Sequence, residues 1–127
     1  MPTLDAEIRG FVRGNDLSIR RDILDVPDGQ TIAQAWMTIK EELEDVDADA
    51  ILQKVISLVN QVGTGHIEDS GVSGTGTVRF DLIRANTLLL RAGRLYHFDV
   101  QLKTSANFVY TPLKGTIMAV ERVTEAG

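Results

Sequence analysis

Apolar and polar residues alternate cleanly along two stretches in the second half of the chain. From Tyr96 to Leu102 every second residue is apolar and the residues between are polar, and the same alternation runs through Thr77–Arg84. A strand with one face in a core and the other in solvent has this period of two. The pattern therefore predicts two half-buried β-strands.

A hairpin is predicted after the later of these strands. Thr104–Asn107 is rich in turn-forming residues, and a second apolar run begins at Phe108 and continues to Val123. Pro112 cannot donate a hydrogen bond to a neighbouring strand, and Gly115 weakens a strand. We therefore expect the returning strand to lie at a sheet edge or to carry a β-bulge.

Turn residues divide the first thirty positions into two further strand candidates. Gly14–Asp16 and Pro27–Gln30 favour turns because they combine proline with residues that tolerate turn geometry. Between them, Leu17–Val26 alternates with a phase slip near Arg21. A slip of this kind predicts a bulge at that point.

The segment from residue 31 to residue 62 fits two structures. Its apolar residues recur at helical spacing and would form a helical hairpin. The alternative consists of strands over 35–40 and Ile51–Leu58, joined at Asp45–Ala50 by an acidic turn or a single helical turn. Periodicity alone does not choose between them, but helix propensity is a weak prior and many short strands separated by turns every roughly 8–12 residues are typical of a sandwich. We therefore favour the strands.

The rest of the chain is loop-rich. Residues 63–76 contain five of the 11 glycines, and His66–Asp69 is short enough to be a small strand between loops. Residues 85–93 predict one helical turn with a cap at Asn86 or Thr87 and its end at Gly93. The predicted fold is thus all-β, an antiparallel sandwich with one or two short helical turns, as a single domain over residues 1–127.

Composition narrows the classes of function. The chain has 127 residues, is 43% apolar, has no cysteine and carries a net charge of −5. It is large enough for a real core, and it can contain neither a disulfide nor a thiolate metal site nor a cysteine nucleophile. Its 13 Lys and Arg residues are scattered, so no nucleic-acid partner is expected. No apolar run is long enough to span a bilayer and no export signal begins the chain, so we expect a soluble protein without a membrane partner.

An acidic stretch has the alternate spacing of a calcium-binding loop. Asp45, Asp47 and Asp49 place carboxylates at every second position. A calcium loop also needs glycine at its sixth position and an acid at its twelfth, where this chain has Ala50 and Ile56. The stretch therefore predicts a solvated acidic turn rather than a metal site.

The two histidines do not complete a catalytic group. His66 lies two residues before Glu68, but a zinc site of that type also needs cysteines. His97 shares a strand face with Asp99, and no nucleophile is evident for that pair to activate. We predict no catalytic, cofactor-binding or metal-binding residue and therefore no enzyme.

Two aromatic residues and three glycines are the candidate interface residues. Trp36 and Tyr110 are amphipathic aromatics that serve either as core or as interface anchors. Gly71, Gly74 and Gly76 would need a following helix and a Lys-Ser/Thr pair to cradle a phosphate, and a strand follows them instead. Their loop is a candidate for a segment that orders against a neighbouring subunit.

Several pieces of the chain together carry a family resemblance. They are Gly10–Ile23, Ala35–Lys40, Asp47–Lys54, Thr77–Leu82, Leu95–Lys103, and Val109–Pro112 leading to Gly115–Ile117. In these pieces the chain resembles the N-terminal immunoglobulin-like domain of the phage baseplate upper protein and related small tail proteins. The resemblance implies an antiparallel immunoglobulin-like β-sandwich in which Trp36–Lys40 is a strand.

The resemblance also implies a function. It indicates a non-enzymatic bacteriophage virion structural protein of the tail or baseplate, made in the host cytoplasm, that docks on other phage structural proteins and forms a homo-oligomer in the particle. Docking would use strand addition at sandwich edges, or loops that order on contact. A capsid decoration or cement protein of the phage head is one alternative. A small α+β enzyme with residues 31–62 helical is another.

Overall fold

The computed structural model of the protein describes residues 4–42 and 50–121. Within these ranges it contains eight strands and one short helix. The strands are β1 (Leu4–Ile8), β2 (Leu17–Ile23), β3 (Ile32–Lys40), β4 (Leu52–Ile56), β5 (Gly65–Asp69), β6 (Gly76–Leu82), β7 (Tyr96–Thr104) and β8 (Val109–Ile117), and the helix α1 spans Arg84–Thr87. No helix in this part of the chain is long and apolar enough to cross a membrane.

The strands form two sheets that enclose one core. The larger sheet has five strands in the order β1-β8-β7-β3-β4, and the smaller has three in the order β2-β6-β5. Neighbouring strands are antiparallel, except that β1 runs parallel to β8. The core between the sheets includes Phe80 from the smaller sheet and Ile39 and Tyr96 from the larger one. The predicted all-β sandwich is thus confirmed.

The described part of residues 31–62 is extended, so the helical alternative is wrong. Ala35, Met37 and Ile39 are buried at every second position of β3, which pairs with β7 on one side and β4 on the other. A helix would turn these side chains in different directions, whereas the sandwich buries them on one face. The small α+β enzyme loses its structural basis. The predicted acidic turn at Asp45–Ala50 and the calcium-like spacing fall mainly on residues 43–49, outside the described residues.

The predicted hairpin is present, and its returning strand has a bulge. β7 pairs with β8, and the register shifts where Val100 faces Leu113 and Leu102 faces Tyr110. Pro112 lies in this irregular stretch, where its missing N–H costs no ladder bond. β1 pairs with the second half of β8, from Leu113 to Ile117, so within the described residues only the first half, 109–112, lies at the edge of the sheet.

Glycine at position 115 permits this pairing of β1 with β8. A Cβ atom added there would overlap the carbonyl oxygen of Ala6 in β1. The two backbones approach so closely that only a residue without a side chain fits between them. Gly115 is therefore a packing requirement of the sheet rather than a weak point in a strand.

The bulge predicted near Arg21 is absent. β2 pairs with β6 in one continuous register from Leu17 to Ile23. The change of phase occurs after the strand, at Asp25, whose φ of 61° is in the left-handed region. The sequence pattern therefore located a real irregularity but placed it inside the strand instead of beyond its end.

The cap predicted for the helical turn is also corrected. Ile83 occupies the N-cap position, and the side-chain oxygen of Asn86 accepts its backbone N–H at 2.9 Å. Thr87 is buried and donates its hydroxyl to the carbonyl of Asn15 at 2.8 Å. Both predicted cap residues thus lie inside the turn, and Thr87 fixes it to the chain before β2.

A buried tyrosine marks the start of β7. Tyr96 is 1% exposed, and its hydroxyl accepts the backbone N–H of Arg91 at 2.9 Å. Immunoglobulin-like sandwiches commonly have such a tyrosine corner two residues before a cysteine of the disulfide that joins the sheets. Phe98 takes that position here and is buried, so apolar packing occupies the place of a covalent link.

Candidate docking surface on the outer face of the larger sheet

Paired charges cover the outer face of the smaller sheet. Glu68 on β5 accepts hydrogen bonds from Arg20 on β2 and, at 3.2 Å, from Arg79 on β6. Arg79 also contacts Asp81 at 3.1 Å, and Ser18 donates to Asp81 at 2.9 Å. The bond from Arg20 lowers the pKa of the Glu68 carboxyl. A partner on this face would have to replace contacts that the sheet already makes.

The outer face of the larger sheet instead carries a half-buried tryptophan. Because Ala35 and Met37 point into the core, Trp36 points away from it. Its neighbours across the strands are Val55 on β4, which is 37% exposed, and Gln101 on β7. In many immunoglobulin domains the tryptophan of the corresponding strand is buried against the disulfide. Here it forms an apolar centre on a solvent-facing sheet.

A small pocket lies on the same face, across β3, β7 and β8. Its volume is about 110 Å³. It is lined by Thr38, Lys40, His97, Phe98, Asp99, Thr111 and Lys114. Cross-strand register sets Asp99 opposite both Thr38 and Lys114, and His97 opposite Lys40. The pocket therefore combines two cations and a histidine with one carboxylate, in a chain whose net charge is −5.

Hydrogen bonding on this face is partly internal. Gln53 on β4 donates its amide to the hydroxyl of Thr38 at 3.0 Å, and Thr38 is buried. We define the docking surface by Trp36, Val55, Gln101 and the pocket residues other than Phe98, which is buried in the core. It has an apolar anchor beside groups that can bind a charged or hydrogen-bonding partner.

Tyr110, an interface candidate from the sequence, lies in the core. Its side chain is 9% exposed and stacks on Phe108 with ring centroids 5.4 Å apart. Its hydroxyl has no hydrogen-bond partner among the described residues. Burial raises the pKa of Tyr110, and the charge of Asp25 raises it further. The exposed aromatic of this hairpin is Phe108, which is 44% exposed.

The three candidate glycines pack against their own chain. Gly71 lies against the side chain of Val26, and Gly74 accepts the Val26 backbone N–H at 2.9 Å. Gly76 begins β6 beneath Ile32. The connection between β5 and β6 is thus held by the connection between β2 and β3. His66–Asp69 forms most of β5, as the sequence predicts.

The two histidines lie in different sheets. A ring nitrogen of His66 on β5 is 3.1 Å from the carbonyl oxygen of Leu58, whereas His97 on β7 lines the pocket beside Asp99. Among the residues described, no group of three or more His, Asp or Glu side chains could hold a metal ion. The structure therefore does not bring the histidines together on one acid.

Sequence reasoning missed Val55 and the two lysines of the pocket. Each of the three lies on the outward face of its strand. They form one surface only because their strands are neighbours in the sheet, and the sequence does not indicate which strands become neighbours. Val55 is apolar at an outward position of a strand, and this mismatch is the one signal that could have marked it.

The chain matches no protein-family model and no curated protein. Among solved structures it is similar to the NK cell receptor Nkp44, described as a triggering partner in natural cytotoxicity, with a TM-score of 0.51 and 14% identity over 92% of this chain and 99% of that chain. It is also aligned with murine CRIg at a TM-score of 0.40 and 16% identity, over 91% and 92% of the two chains. The likeness to Nkp44 concerns the fold. With the strand order and the tyrosine corner, it identifies the chain as an immunoglobulin-like β-sandwich.

Proposed function

We propose that this chain is a non-enzymatic structural module of a bacteriophage particle, and that it docks on other virion subunits through the docking surface defined above. The observation that carries the proposal is the outward position of Trp36 on a sheet face whose neighbouring strands contribute Val55 and a charged pocket. Tryptophan is enriched among residues that dominate binding energy at protein interfaces.

The contrast between the two sheet faces supports this choice of surface. On the smaller sheet Arg20, Glu68 and Arg79 satisfy one another. On the larger sheet a partner can cover the exposed side of Trp36 and gain apolar burial. The lysines and the histidine of the pocket then favour a partner with acidic groups.

The virion part of the proposal rests on the resemblance to phage tail modules and on the composition of the core. With Phe98 in the place of a cysteine, the sandwich gains its stability from apolar packing, which is insensitive to the redox state. This suits a protein made in a reducing host cytoplasm and then carried in a particle outside the cell.

The first experiment locates the protein in particles of the phage that encodes it. Mass spectrometry of purified virions detects the chain, and electron microscopy with a labelled antibody locates it. Labelling at the tail or baseplate is the expected result, whereas labelling over the head would indicate a decoration subunit. Absence from purified particles would overturn the virion role.

The second experiment tests the surface. Trp36→Ala should reduce incorporation into particles about thirtyfold or more, because loss of a central aromatic anchor commonly costs at least about 2 kcal/mol of binding free energy. Leu89→Ala is a matched control, since Leu89 is 49% exposed and lies after α1, away from the docking surface. Equal incorporation of both folded variants would show that Trp36 is not the anchor.

A further inference from the structure

The strand β2 lies at the edge of the smaller sheet and directs hydrogen-bonding groups away from it. The backbone N–H of Asp81 donates to the carbonyl of Thr64, on the side of β5. In an antiparallel sheet, successive residues direct their N–H and C=O groups to opposite sides. The odd-numbered residues of β6 therefore bond toward β5, and the even-numbered ones bond toward β2. Leu17 faces Leu82, so the odd-numbered residues of β2 bond to β6. The residues that point their N–H and C=O groups out of the sheet are Ser18, Arg20 and Asp22.

The opposite side of the sandwich is closed by the chain itself. The residues between β4 and β5 cross that side, where Ser57 accepts the N–H of Ile67 at 2.9 Å and Gln61 pairs with Gly65. Along β2, by contrast, no backbone partner for the outward groups exists within residues 4–42 and 50–121. The carbonyl of Arg20 accepts the guanidinium of Arg21 at 2.9 Å. This edge offers seven residues, about 23 Å of strand.

An inward-facing arginine controls which strand this edge can accept. By register Arg21 shares the inner face of β2 with Ile19 and Ile23, which are both buried. Inward-pointing charges at sheet edges prevent pairing with arbitrary apolar strands. An added strand would meet the guanidinium of Arg21 between two apolar neighbours. A carboxylate at that position satisfies the charge, and apolar residues on either side cover the isoleucines.

We propose that the edge of β2, from Leu17 to Ile23, accepts an extended segment of a partner protein as a fourth strand of the smaller sheet. The segment has an apolar, any, acidic, any, apolar pattern with its carboxylate opposite Arg21. Arg20 is already paired with Glu68 on the outer face, so the preference for an acidic segment rests on Arg21. This site is separate from the docking surface around Trp36 and does not depend on it.

The test uses two synthetic peptides with blocked ends. One is Thr-Val-Thr-Glu-Thr-Val-Thr, and in the other lysine replaces glutamate. Binding is followed by nuclear magnetic resonance of the intact chain, with amide hydrogen exchange measured residue by residue. The glutamate peptide should slow exchange at Ser18, Arg20 and Asp22, whose amides point outward, and should bind about tenfold more tightly than the lysine peptide.

Three variants make the test specific. Arg21→Glu should reverse the preference in favour of the lysine peptide, and Arg21→Gln should remove it. Ser18→Pro should weaken binding of the glutamate peptide, because it deletes an outward N–H while leaving the bonds to β6 intact. Arg21→Gln makes the smallest change to the edge, so it keeps the test decisive if the glutamate variant does not fold.

Four results would overturn the proposal. The amides of Ser18, Arg20 and Asp22 could already be protected in the free chain, which would show that the edge is occupied. The two peptides could bind equally, or neither could bind. Chemical-shift changes confined to Trp36 and its neighbours would assign peptide binding to the docking surface instead.

Discussion

The two tyrosines provide a matched test of how the core is held, because the same loss of a hydroxyl should have opposite effects. In Tyr96→Phe the backbone N–H of Arg91 loses its acceptor, which lies 2.9 Å away in the native protein. In Tyr110→Phe the removed hydroxyl has no partner among the described residues. We expect Tyr96→Phe to destabilise the fold and Tyr110→Phe to leave it unchanged or more stable.

The magnitudes follow from the surroundings of each hydroxyl. Losing the Tyr96 bond costs its net contribution and part of the penalty for an unpaired N–H, together about 1–2 kcal/mol of unfolding free energy. Arg91 is exposed, so water can reach its amide and keep the loss toward the lower value. Removing an unsatisfied buried hydroxyl at Tyr110 should change the free energy by between zero and a gain of about 1 kcal/mol.

Chemical denaturation of the wild type and both variants, followed by tryptophan fluorescence, measures these differences. Thermal unfolding should show a melting temperature lowered by about 4–6 °C for Tyr96→Phe and not lowered for Tyr110→Phe. Equal destabilisation by both changes would refute the reasoning. So would a Tyr96→Phe variant as stable as the wild type.

Alkaline pH gives an independent check on Tyr110. Burial and then Asp25 raise its pKa in the folded state, while the unfolded value is about 10. The unfolded chain therefore releases this proton first, so the stabilisation is present below about pH 10 and is lost as the pH rises toward the folded value. Tyr110→Phe should flatten the fall in unfolding free energy above about pH 10. An unchanged slope would contradict the assignment.

Two further substitutions test the sheets. Gly115→Ala should destabilise the fold by about 2–3 kcal/mol and expose the amides of β1 to hydrogen exchange, because its Cβ would overlap the Ala6 carbonyl. Gly74→Ala, with open space around the added Cβ, should cost only the roughly 1 kcal/mol of a left-handed backbone, and equal losses would refute the packing argument. The bond from Arg20 lowers the pKa of Glu68, so the stabilisation from this pair is lost as the pH falls through that lowered value. Glu68→Gln should therefore remove the part of the acid destabilisation that develops below about pH 4.5. A titration curve identical to that of the wild type would show that the pair contributes nothing.

Alternation predicted the strands well because a sandwich buries one face of each strand. β6 and β7 coincide closely with the predicted segments around Phe80 and Phe98. The same rule could not choose the structure of residues 31–62, where Trp36 and Val55 satisfy a helical stripe as well as a strand. Burial of β3 between β4 and β7 decides it, and that burial depends on pairings that local sequence does not contain.

The candidate surface was predictable only in part. The sequence marks Trp36 as a candidate anchor. Its outward direction, however, follows from the burial of its neighbours Ala35 and Met37 in the core. Tyr110 likewise joins an aromatic ring to one polar group, yet the bulge in β8 turns it inward. The role in a virion and the oligomeric state stay predictions, since they concern partners rather than the folding of this chain.

The parallel pairing of β1 with β8 has a consequence for how the molecule forms. Leu4 meets Leu113, so this pairing closes a loop of roughly a hundred residues. Chain entropy makes such a contact slow to form, and its partner strand leaves the ribosome long after β1 does. We therefore expect β1 to pair last, with a sandwich already assembled from β2 to β8. Until then β1 is unpaired, and we expect it to be the part of the nascent chain most prone to aggregation.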